Sequence, residues 1–113
     1  LSPGWLLEYA SLYWRAFAEI ERENWDAAII ALDRAIVLEP NSGVGYLNKA
    51  ILTRREGRTD VALALLARAR QAEPELTRAQ HELRLGRCFA NSPLLGQLLT
   101  HLRALWAETE GMA

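Results

Sequence analysis

The feature that most constrains this chain is an internal repeat. The segment Trp25-Asp-Ala-Ala-Ile-Ile-Ala-Leu-Asp-Arg-Ala-Ile-Val-Leu-Glu-Pro40 returns as Thr59-Asp-Val-Ala-Leu-Ala-Leu-Leu-Ala-Arg-Ala-Arg-Gln-Ala-Glu-Pro74, with the two prolines 34 residues apart. Setting residues 9–40 against 43–74 aligns Ala16 with Ala50, Asp26 with Asp60, Ala28 with Ala62, Leu32 with Leu66, Arg34 with Arg68, Ala35 with Ala69, Glu39 with Glu73 and Pro40 with Pro74. A period of this length marks a stacked array, in which each unit buries its apolar face only against its neighbours.

Within each unit apolar residues recur at three and four rather than two, so the unit reads as two antiparallel helices. Pro40 and Pro74 stop the second helix of each unit, and Asn41-Ser42-Gly43, Gly57 and Asn91-Ser92-Pro93 supply caps and breaks. Ser2-Pro3 offers the same cap at the start. The spacing predicts helices near 3–22, 26–38, 44–56, 60–72, 76–89 and 93–109, in one all-α domain over residues 1–113. Its units are expected at 3–40, 43–74 and 76–110. The recurring alanines let paired helices approach closely, with Leu32 and Leu66 filling the gap.

The period, the alanine positions, the aromatic Trp25 before Asp26-Ala27-Ala28 and the closing prolines resemble the tetratricopeptide repeat family. The resemblance covers residues 9–74. Arg15 and Glu19 stand where that family usually has a leucine and an aromatic, and Glu23 where it usually has glycine. Beyond Pro74 the match weakens, Arg84 replacing a small residue. Residues 77–110 still read as a helix pair, through the stripe Leu95, Leu98, Leu99, Leu102, Leu105 and Trp106, and are expected to cap the stack.

The resemblance implies a right-handed superhelical solenoid whose first helices line a concave, partner-binding groove. Carried over, the groove residues are Tyr13, Phe17 and Ile20, then Leu47, Ile51 and Arg54, then His81, Leu85 and Cys88, with Asn48 and Arg78 as polar contacts. Each triplet is spaced by four and three, so it shares one helical face. Phe17 and Ile20 fit the core as well as the groove. Such a trough suits an apolar or amphipathic protein segment carrying an acid. The family's terminal-carboxylate clamp is not reproduced, because Tyr13, Phe17 and Glu82 occupy three of its positions beside Asn48 and Arg78.

The first helix is apolar on all sides, through Trp5, Leu6, Leu7, Tyr9, Ala10, Leu12, Tyr13, Trp14, Ala16 and Phe17. It therefore wants a second neighbour: a further repeat, a copy of the chain, or the partner. A self-assembly or regulatory segment of a larger enzyme or secretion protein is the alternative function.

A net charge of −1 exerts no general pull on nucleic acid or anionic membrane. Lys49, Arg54, Arg55, Arg58, Arg68, Arg70, Arg78, Arg84 and Arg87 in the second half motivate an RNA-binding reading, but several lie near helix C-termini, where cations meet the dipole favourably. No apolar run approaches a membrane span. A single cysteine makes no internal disulfide and fits a reducing cytoplasm. His81, His101 and Cys88 lack an orienting third residue or ligand spacing, so no catalytic residue, metal or cofactor is expected.

Overall fold

The computed structural model describes residues 3–111, apart from the side chains of Pro3, Trp5 and Leu6. The Ser2 cap and the Trp5 and Leu6 side chains thus lie outside what is described. Six helices follow in order: α1 Pro3–Glu21, α2 Trp25–Leu38, α3 Gly43–Arg55, α4 Thr59–Ala72, α5 Arg78–Cys88 and α6 Leu95–Gly111. Every end falls within two residues of its expected place. Among the described residues there is no strand, and no helix is long and apolar enough to cross a membrane.

Local chemistry sets the ends. The Ser42 hydroxyl accepts from the Val44 N–H, and Thr77 with Gln80 forms a reciprocal capping box at α5. At α6 the Ser92 hydroxyl accepts from the Leu94 N–H, but Pro93 and Leu94 form a turn and the α-helix starts at Leu95.

Among the described residues three take left-handed backbone: Glu23 at φ 58°, Gly57 at 86° and Asn91 at 68°. They stand 34 residues apart in turn, each just after the first helix of a pair. The spacing of the sequence is thus kept by the backbone into the third pair, where side-chain identity is lost. Glycine adopts this conformation freely and asparagine tolerates it, whereas glutamate pays for its Cβ.

The aligned alanines carry the packing. Ala16, Ala28, Ala35, Ala50, Ala62 and Ala69 are all 0% exposed, as are Leu32 and Leu66. Helices α1 and α2 pack along their length, α3 and α4 likewise, and α2 against α3 joins the two pairs. Gly45 marks the tightest approach: a Cβ there would lie 2.7 Å from Ile36 Cγ1 and 3.0 Å from the Tyr13 hydroxyl, so α1, α2 and α3 meet at its Cα.

In the third pair it is α6 that packs along α3 and α4, with α5 against α6. The middle of α6 lies at the C-terminal end of α3, where Arg54 meets His101 at 2.7 Å. Its C-terminal half lies at the end of α4, where Arg70 stacks 4.7 Å over Trp106. Since the Gly43 N–H at the start of α3 donates to Glu73 at the end of α4, α6 runs antiparallel to α3. The result is a compact globule of radius of gyration 13.4 Å, close to the roughly 13 Å of a compact domain of this length.

The turns generate a graded prediction. Glu23→Gly should raise thermal stability by about 1 kcal/mol, and Gly57→Ala should lower it by about 1–2 kcal/mol, because only the latter forces a Cβ into left-handed backbone. Asn91→Gly should change it less than either. Thermal melts followed by circular dichroism read all three.

Candidate functional site

The structure redistributes the residues expected in the groove. Ile20, Leu47 and Ile51 are 1% exposed, Leu85 2% and His81 0%, so all five are core. For Leu47 and Ile51 the physical reason is the third pair: α6 lies on the side of α3 that carries Arg54, and both share that helical face. Asn48 is buried too, its amide donating to the Val44 carbonyl one turn back at 2.9 Å. Arg54 is held by His101, and Arg78 is exposed beside Glu82 at 3.4 Å. Of the expected groove residues, Tyr13, Phe17 and Cys88 line one open space.

That space is a cleft between α1 and α5, of about 560 Å³, lined by Tyr9, Ala10, Tyr13, Trp14, Phe17, Val44, Arg84, Arg87 and Cys88. Its aromatic wall is a stacked series. The Tyr9 and Tyr13 rings meet edge-on at 4.8 Å, Tyr13 stacks on Phe17 at 6.0 Å, and Phe17 meets Phe89 of the α5 C-cap edge-on at 5.2 Å. The Tyr9 hydroxyl donates to Tyr13 at 3.4 Å. Burial, reinforced by Tyr9, pushes the Tyr13 phenol well above its ordinary range, so it stays protonated. Trp14 closes the rim and is 74% exposed.

The α1 wall was legible as a helix apolar all round. Val44, Arg84 and Arg87 were missed, because only the packing of the third pair brings α5 across from α1. Cys88 was expected on the inner face of α5, and it does line the cleft.

The arginines are mostly occupied. Arg55 stacks 3.8 Å over Trp25 and Arg68 4.8 Å over Tyr46. Lys49 pairs with Asp33, Arg58 with Glu56, Arg84 with Glu73, and Arg103 with Glu82. Among the described residues Arg87 is the one base of the second half without an intramolecular ion pair, hydrogen bond or ring contact, and it sits on the cleft. The positive half of the sequence is therefore largely internal glue, with aromatic and carboxylate partners.

The nucleophile and base candidates do not assemble. Burial raises the Cys88 thiol above its ordinary value, against Arg84, and neither ring nitrogen of His81 has a hydrogen-bond partner. His101 is engaged by Arg54. Among the described residues no group of three or more His, Cys, Asp or Glu could hold a metal ion.

Beside the cleft, Glu73 ties three helices together. One oxygen accepts from the buried Gly43 N–H at 2.7 Å, and the pair of oxygens receives the Arg84 guanidinium at 3.0 and 2.7 Å. Arg84 chiefly, helped by Gly43, holds this carboxyl below its ordinary value of 4.5 despite burial. A depressed carboxyl stabilises the fold above its unfolded pKa and loses that contribution as pH falls below it. Glu73→Ala should cost about 1–3 kcal/mol at pH 7. Glu73→Gln should flatten the stability loss that the parent protein shows below about pH 4.5 in urea titrations.

Compared with known proteins, the chain matches no family model, no curated protein and no solved structure.

Proposed function

We propose that this protein is a non-catalytic, tetratricopeptide-like interaction module that holds an apolar segment of another protein in the α1/α5 cleft. The observation that carries the reading is the cleft itself: four aromatic side chains line one wall, Tyr13 buried at its floor, Tyr9 and Phe17 half-buried and Trp14 exposed at the rim, with no catalytic constellation beside them. Exposed tryptophan and tyrosine flanked by arginine are the residues that anchor protein partners. Arg87 favours a segment carrying an acidic residue next to its apolar anchor. The cleft takes the place of the Leu47 and Ile51 trough as the binding face.

The 34-residue spacing of sequence and turns supports a superhelical relation between the first two pairs. The occupation of nearly every second-half arginine by an internal partner disfavours RNA, whose backbone needs free cations.

A second reading rests on the opposite side of the first pair. Ile30 and Val37 are 62% and 80% exposed there, which is unusual for large aliphatic side chains on an amphipathic pair. A further helical unit or a second copy of the chain would cover them.

Peptide display against the intact protein tests the first reading. Selected peptides should carry an aromatic or leucine anchor beside Asp or Glu, and Trp14→Glu should weaken them at least about tenfold with an unchanged melting temperature. Peptides that bind Trp14→Glu equally well would remove the cleft from consideration. For the second reading, light scattering should show a dimer that Ile30→Glu with Val37→Glu dissolves and Trp14→Glu leaves intact.

A further inference from the structure

Both histidines of the chain sit where the third helix pair meets the other two. His81 of α5 is fully buried, its ring 5.6 Å from Trp106 of α6, and neither nitrogen is hydrogen-bonded. The charged groups facing it are Arg84 from its own helix, Arg70 and Glu73 from α4 and its cap, and Glu75 from the connection. Glu73 is already taken by Arg84 and Gly43, and Arg103 of α6 by Glu82. His101 of α6 lies against α3, its Nδ1 2.7 Å from Arg54 Nη1. A guanidinium has donors only, so Nδ1 must be a lone pair and the ring must be neutral. Arg55 adds a second positive charge from the same helix, and the buried Arg54 Nε has no hydrogen-bond partner.

We infer that α5 and α6 form an acid-released latch: neutral His81 and His101 keep the pair docked on α3 and α4, and their protonation undocks it, uncovering the α3 face that carries Leu47, Ile51 and Arg54. Protonating His101 sets two cations in direct contact with no acceptor between them. Protonating His81 puts a charge into a fully buried site, where Glu73 is already committed to Arg84 and Gly43.

Burial first, then the neighbouring arginines, holds both rings below the ordinary histidine value of 6.5. The sign follows from linkage. An undocked histidine takes up its proton near that value while the docked one stays neutral, so docking is strongest above it and weakens as pH falls below it. At pH 5.5 each histidine favours the undocked form by up to about tenfold, and both together by up to about a hundredfold. The window lies above that of Glu73, which acts below about pH 4.5.

Hydrogen–deuterium exchange of the whole protein between pH 7.5 and 5.5, corrected for the intrinsic pH dependence of exchange, tests the latch. Protection of α5 and α6 should fall by ten- to a hundredfold while α2, remote from both rings, keeps its own. His81→Phe with His101→Gln, whose amide oxygen can still accept from Arg54, should make α5 and α6 protection independent of pH. Unchanged protection in the parent protein, or an equal loss in the double variant, overturns the inference. Should the double variant not fold, NMR titration of the parent's two imidazoles decides: protonation of either ring at about pH 6.5 or above with α6 still protected also overturns it.

Discussion

Everything in this molecule follows from how closely its helices approach one another. Six alanines without exposed surface and a glycine with no room for a Cβ let α1 to α4 lie backbone against backbone, with one leucine per pair closing the seam. A helix packed that tightly on one side has little apolar side chain left to shield its other face. The first two pairs thus leave part of α3 uncovered, and burial of that face needs a separate element.

That element is α6. Its stripe of Leu98, Leu102, Leu105 and Trp106 is buried where a bound segment was expected to lie. The polar seams at its edges are made largely by arginine, whose flat guanidinium stacks on Trp106 and reaches His101 without needing a paired carboxylate. Docking of the third pair also creates the aromatic cleft, because α5 becomes the wall opposite Tyr13 and Phe17. Core formation and the candidate binding surface are thus products of the same packing event.

How much of this could be read from the sequence depended on range. Helix ends were legible because Pro40, Pro74 and Ser42 act within a turn of themselves, whereas the Thr77 capping box was not read and α5 starts two residues later than expected. The alanine seam was legible because its members recur at a fixed interval. Glu23 was visible only as a departure from glycine, and its left-handed backbone explains why the family resemblance puts glycine there. The groove assignment failed at Leu47 and Ile51 because each lies on the right helical face, yet that face is covered by α6, some fifty positions away in sequence; at His81 the covering ring is Trp106, 25 positions on. The link between Arg54 and His101, 47 residues apart, has no local signature. The apolar stripe of α6 was recognised, but periodicity states that a face must be covered and does not say by what.

The edge-on contact of Phe17 with Phe89 carries a consequence for cooperativity. In a linear stack each unit touches only its neighbours, so an end unit can melt away while the others persist. Here the last pair reaches back to the first helix, closing the chain of contacts into a loop. Release of the last pair then strips Phe17 of its edge-on neighbour, so the first helix registers the state of the third pair directly instead of through α2 to α4.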